Sequence, residues 1–136
     1  DETQETLGKW LGLHDARVAV DDSGKLLGFI NLLPPGTMEY TSANLRWLEA
    51  WGDDFIYVDR IAIAETARGQ RIGEALYSAA FAAYAGTRSW ITCEVNLRPP
   101  NPGSLRFHDR LGFREIGRRS YADDTKEVVY LARPLA

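Results

Sequence analysis

The 136-residue chain is poor in the features that fix the class of many small proteins. Cys93 is its only cysteine, so no intrachain disulfide can form and no cysteine-built metal cluster is available. That usage suits a reducing cytoplasm. There is no excess of positive charge either: 16 Lys and Arg stand against 19 Asp and Glu, a formal net charge of -3. Without a global basic field a nucleic-acid partner is not favoured. No apolar run approaches the roughly 20 residues of a membrane-spanning helix, since the longest, ALYSAAFAAYAG, stops well short. The acidic start DETQET is unlike a signal peptide. No internal repeat, low-complexity tract or linker divides the chain, so residues 1–136 read as one domain with a single core.

What is present alternates in period. Leu7, Trp10 and Leu11 recur at helical spacing and predict the tail of an amphipathic helix. RVAV, the turn DDSGK and LLGFINLL predict a hairpin, closed by Pro34, Pro35 and Gly36. DFIYVDRIAIA reads as the next strand, with Phe55, Tyr57, Asp59, Ile61 and Ile63 on one face and Ile56, Val58, Arg60 and Ala62 on the other. Asp59 then shares a face with apolar residues, an odd place for a structural carboxylate. From Arg71 the period changes: Ile72, Ala75, Leu76, Ala79 and Ala83 predict a helix ended by Gly86. SWITCEVN is an apolar strand of the kind covered on both faces. After the RPPNPG break, SLRFHDRL predicts a short helix stopped by Gly112, and FREIGR and EVVYLA the last strands. Strands alternate with helices in the middle and run consecutively at both ends, the pattern of a mixed α/β sheet.

The corner TARGQRIGEALY carries the chemistry. A strand ending at Ile63, a loop with Arg68 and Gly69, and a helix starting near Gln70 leave backbone NH groups unpaired. With the helix dipole they make a place for a diphosphate. Glycine lets the backbone approach closely, and Arg68 and Arg71 add charge. The plainer reading is an ordinary turn with two solvated arginines.

The strand YVDRIAI, the corner ARGQRIGEALY and the later NPGSLRFHDRLGF together resemble the GNAT superfamily of acyl-CoA-dependent N-acyltransferases. The resemblance runs from about residue 17 to the end. The superfamily's Arg-Gly-x-Gly-x-Gly/Ala signature maps onto Arg68, Gly69, Gln70, Arg71, Ile72 and Gly73. Its Asn-x-x-Ala/Ser…Tyr…Gly-Phe signature maps onto Asn101, Ser104, His108, Gly112 and Phe113. YVDRIAI, CEVN, PPNPGS and FHDRLGF in combination are similar to a branch described as predicted acetyltransferases. Three departures stand out: Arg71 replaces the middle glycine, His108 replaces a tyrosine, and the usual first strand and helix have no counterpart before residue 7.

The resemblance implies a mostly antiparallel, splayed sheet with flanking helices. It implies acetyl-CoA as co-substrate, no metal, and direct attack of a primary amine on the thioester in a ternary complex. The corner from Arg68 to Gly73 would hold the diphosphate, Ile61 and Ile63 would line the coenzyme, and the Ile63 NH would serve as oxyanion donor. Asn96, Asn101 and Ser104 would meet the pantetheine arm, although both asparagines also read as plain caps. Asp59 is the expected carboxylate that orients or deprotonates the amine, against a plainer role in an ion pair, and Glu94 on the neighbouring strand competes for it. His108, one helical turn beyond Ser104 on the same face, is expected to protonate the departing thiolate with an imidazolium near its ordinary value; its plainer reading is a surface histidine. Tyr40, Trp47, Tyr57 and Glu94 would wall an acceptor pocket suited to a cationic amine, though core packing also uses such aromatics.

Cys93 offers a rival covalent route, but it alternates away from Thr92 and Glu94 and reads as a small core residue. The alternative functions are a non-catalytic acyl-CoA-binding or regulatory module on the same fold, and a small nucleotide-binding domain. The acceptor, the acyl-chain preference and the oligomeric state stay open, a homodimer included.

Overall fold

The computed structural model describes residues 15–37 and 42–135. The helix tail expected around Leu7 to Leu11 and the expected acceptor residue Tyr40 lie outside the described residues.

Strands β1 (Asp15–Val20) and β2 (Leu26–Leu33) form the expected antiparallel hairpin. Its turn is built by Asp21, whose Oδ1 accepts the backbone NH groups of Ser23 at 2.8 Å and Lys25 at 3.0 Å, a local bond that favours Asp at turns. Helix α1 (Ala43–Trp51) follows, where the sequence reading placed no element. Ser42 opens it by accepting the Leu45 NH at 3.3 Å, and Leu45 and Leu48 are buried one turn apart. Then come β3 (Phe55–Ile63), a 3-10 turn (Glu65–Ala67), α2 (Ile72–Tyr84), β4 (Trp90–Arg98), α3 (Pro102–Arg110), β5 (Arg114–Tyr121) and β6 (Lys126–Pro134).

The six strands form one sheet in the order β1-β2-β3-β4-β6-β5. All pairs are antiparallel except β3 with β4, whose parallel pairing needs a crossover, and α2 supplies it. That parallel pairing covers only three positions, from Phe55 opposite Trp90 to Tyr57 opposite Thr92. Past them the strands part, the rest of β3 pairing with β2 and the rest of β4 with β6. The sheet is mixed, mostly antiparallel and split at its middle.

One core lies under α2 and joins Ile30, Leu32, Ile56, Val58, Cys93 and Val95 to Leu76, Tyr77 and Ala80. The other lies under α1 and joins Leu33, Phe55, Tyr57, Val128 and Tyr130 to Leu45 and Leu48. The expected face assignment of β3 fails halfway along. Phe55 and Tyr57 belong to the α1 side, whereas Ile61 and Ile63 pack with Ile56 and Val58 on the α2 side. The cause is a β-bulge: Leu32 pairs with Val58 and Asn31 with Arg60, which leaves Asp59 as one extra residue on β3. An extra residue resets the alternation that strict period-two reading assumes.

Candidate active site

The open end of the split is where two helices start. Helix α2 begins at Arg71, which takes the left-handed conformation with φ 59 and ψ 29, and no side chain caps the helix. The NH groups of its first turn therefore have no intrahelical partner. Helix α3 begins at Asn101, whose Oδ1 accepts the Ser104 NH at 3.3 Å. These two starts and the end of β3 wall a groove of about 1180 Å³. Of the residues expected at the coenzyme, Ile61, Ile63, Arg68, Gly69, Arg71, Ile72, Gly73, Asn101 and Ser104 line it, and Arg110 adds a third cation. Gln70 and Asn96 are exposed and line no part of it. Two positive helix ends and three arginines around one cavity suit a polyanion.

Arg71 stands where the resembled signature carries glycine, and the backbone gives the reason: the helix mouth needs a positive φ. Glycine adopts it freely, whereas another L-residue does so at a cost of roughly 1–2 kcal/mol. Arg71→Gly should therefore raise the unfolding free energy by about 1 kcal/mol while removing one cation from the groove. A variant that melts below the wild type would refute this local explanation. Gly73 is constrained differently: a Cβ there would lie 3.2 Å from Phe107 Cζ and 3.9 Å from Ile63 Cδ1. It keeps α2 and α3 close as well as lining the groove.

On the inner edge of the split, the Ala64 NH donates to the Leu27 carbonyl at 2.8 Å. In an antiparallel ladder such bonds fall on alternate residues. The amides of Ile61 and Ile63 consequently point away from β2, toward the side that β4 has left.

The α1 face of the split is acidic. Asp59, the bulged residue of β3, lies within electrostatic reach of Glu94 on β4. The Glu94 carboxylate accepts the Tyr57 hydroxyl and lies beside Asn44. Burial pushes its pKa up to about 7 and the Asp59 charge adds to the rise, while the Tyr57 hydroxyl and the nearby Asn44 amide oppose it. A carboxylate that is half ionised near neutrality is matched to proton transfer there.

Two expected acceptor-wall residues turn out to be packed. Tyr57 is 1% exposed, so its ring is core and only its hydroxyl reaches Glu94. Trp47 stacks on Tyr130 with centroids 4.0 Å apart and planes 9° apart, and it lies so close over Gly117 that a Cβ there would collide with its ring. Its large apolar ring is half-buried between α1 and the β5–β6 pair.

His108 shares a face with Ser104 and lines the groove, as its spacing implies. It is 4% exposed, which removes the surface reading. Its Nδ1 lies 2.7 Å from the Ser104 carbonyl oxygen and its Nε2 2.7 Å from the Tyr77 hydroxyl. A carbonyl can only accept, so Nδ1 carries the hydrogen and Nε2 accepts from Tyr77, whose phenol burial keeps protonated. Burial also lowers the His108 pKa below its ordinary value, with the Ser104 carbonyl opposing. The expected resting imidazolium is thus corrected to a neutral, doubly bonded ring. His108→Phe should leave the Tyr77 hydroxyl without its histidine partner and cost about 1–3 kcal/mol of stability. Adding Tyr77→Phe should recover much of that in denaturant unfolding; a double variant no more stable than the single one would assign the loss to ring packing instead.

Cys93 faces the α2-side core, and burial raises its thiol far above the ordinary range, which leaves it inert as a nucleophile near neutrality. Among the described residues no group of His, Cys, Asp and Glu could hold a metal ion, and no helix is long and apolar enough to cross a membrane. Two partners in this region escaped the sequence reading. Tyr77 stands outside the apolar period that marks α2, and Asn44 sits in a stretch whose helix signal is the cap at Ser42 with Leu45 and Leu48.

Fold and site together define an α/β protein with a groove walled by two helix starts and three arginines, and with a half-buried carboxylate, Glu94, on the strand that parts from β3. The acetyltransferase (GNAT) family model matches residues 1–113, and the chain belongs to that family. Among solved structures it resembles a nourseothricin acetyltransferase at 23% identity and a TM-score of 0.67, covering 90% of this chain and 65% of that one. It also resembles the ribosomal-protein-S18-alanine N-acetyltransferase of Escherichia coli, at 17% identity and a TM-score of 0.61, covering 85% and 66%. A GNAT family acetyltransferase from Elizabethkingia anophelis with acetyl-CoA bound is similar at 16% identity and a TM-score of 0.68, covering 98% and 84%. At such identities the likeness is one of fold, and the chain spans 65% and 66% of the length of the first two. No curated protein matches it.

Proposed function

We propose that the chain is one acyltransferase domain that moves an acetyl group from acetyl-CoA to a primary amine by direct attack in a ternary complex. The observation that carries this reading is the split between β3 and β4, with the amides of Ile61 and Ile63 turned away from β2 on one strand and the half-buried carboxylate of Glu94 on the other. The groove suits the coenzyme in donor chemistry. The uncapped start of α2 with Arg68 and Arg71 meets a diphosphate. Asn101, its Oδ1 taken by the cap, keeps its amide NH2 group to donate, and Ser104 Oγ lies beside it for the pantetheine amides.

When bound, acetyl-CoA supplies the acetyl group as an activated thioester. The Ile63 amide, with Ile61 beside it, holds negative charge on the carbonyl oxygen. Glu94 takes the proton of the attacking amine, and Asp59 across from it attracts a cationic acceptor. That order reverses the expectation from sequence, which put Asp59 first; the burial that raises Glu94 favours it as base. His108, neutral, holds Ser104 in place, and solvent supplies the proton of the departing thiol. A cytoplasmic setting, with the lone Cys93 reduced, suits the reading.

The test is a panel of small amines, peptides with free N-termini and lysine derivatives, incubated with acetyl-CoA and read by mass spectrometry. An acetylated amine is expected. Coenzyme A binding with no amine acetylated would replace the reading by a non-catalytic acyl-CoA-binding module.

A further inference from the structure

The side chains behind Glu94 form a closed set. Asn44, in the first turn of α1, accepts with Oδ1 from the Tyr130 hydroxyl at 2.8 Å and from Arg119 Nη2 at 3.1 Å. Arg119 Nε in turn donates to the Tyr130 oxygen at 2.9 Å. One residue each from α1, β6 and β5 thus closes a triangle, and Trp47 stacked on Tyr130 covers it. With its oxygen committed to two donors, the Asn44 amide cannot flip: turned round, its NH2 group would face them both. Glu94 is the β4 partner of Tyr130 in the β4–β6 ladder, so the NH2 group that Asn44 has left over lies on the side of the Glu94 carboxylate, which Tyr57 engages from β3. The groups facing Glu94 are Asp59 and Tyr57 from β3, Asn44 from α1 and Tyr130 from β6, with Arg119 of β5 behind them.

We propose that Asn44 is a positioning residue: keyed by Tyr130 and Arg119, its amide NH2 group holds the Glu94 carboxylate at the split between β3 and β4. The inference rests on the reading of Glu94 as the base. Asn44 also favours the ionised form, because a fixed donor stabilises a carboxylate and not a carboxylic acid.

Asn44→Asp keeps the acceptor for Tyr130 and Arg119 but turns an oxygen toward Glu94. Glu94 should then titrate about one pH unit higher or more, read from the carboxyl carbon in 13C-labelled protein. The ascending limb of kcat/KM should move with it, so that the rate at pH 7 falls about fivefold or more while coenzyme A affinity holds. Tyr130→Phe removes one of the two keys and should shift the titration the same way by less; it carries the test if Asn44→Asp does not fold. An unmoved or lowered Glu94 titration in these variants overturns the proposal. A shifted titration in a protein that acetylates no amine would uphold the positioning and reject the base role instead.

Discussion

Glu94→Gln should lose acetyl transfer by about 100- to 10,000-fold, the usual worth of a general base, and at the same time melt at a higher temperature than the wild type above neutral pH. The second half follows from the raised carboxyl. The Glu94 carboxyl has its ordinary pKa of 4.5 when unfolded, and burial pushes it up to about 7 in the fold. Between those values the native state holds more protons than the unfolded chain. The stability it contributes is thus fully present below about pH 4.5 and lost as pH rises through about 7. Above that the wild type bears the cost of a buried charge, at most about 3 kcal/mol, and the glutamine never ionises. Unfolding at pH 5 and pH 8 should show the variant's advantage much larger at pH 8. Asp59→Asn should cost less in rate. If Asp59→Asn abolishes turnover and Glu94→Gln does not, the two carboxylates exchange roles.

Arg68→Glu combined with Arg71→Glu should weaken coenzyme A binding by roughly 100- to 10,000-fold. Two charge-assisted bonds at about 1.5–3 kcal/mol each set that range. Both side chains are exposed, and acidic residues at a helix start are favourable to the helix, so the fold should survive the change. Pantetheine, which lacks the diphosphate, supplies the control: calorimetry should show its binding little altered. Coenzyme A affinity within twofold of the wild type would place the diphosphate elsewhere.

The parts of the molecule governed by neighbours in sequence were readable before the structure. The Asp21 turn, the alanine-rich period of α2 and the Asn101 cap all depend on residues two to four apart. The corner from Arg68 to Gly73 was readable for the same reason, and the groove is built on it. Helix α1 was hidden because its aromatic residues serve strand, loop or helix equally well, and only Ser42 with Leu45 and Leu48 marks it. The bulge at Asp59 has no local signature, since it arises where β3 must pair with β2, and with it the faces of Ile61 and Ile63 changed sides. The surroundings of Glu94 draw on residues 44, 57 and 130, with 119 behind them, distances along the chain that no spacing rule connects. Whether His108 carries a proton depends on burial against Tyr77, Phe107 and Phe113, which pairwise spacing on α3 does not disclose.

Direct transfer to an amine is tested most directly by measuring thiol release from acetyl-CoA while both acetyl-CoA and an accepted amine are varied. A ternary complex requires that release depend on the amine and that double-reciprocal lines intersect. Parallel lines with acetyl found on the protein would reveal a covalent route, and release at the same rate without amine would mean hydrolysis; either result contradicts direct transfer.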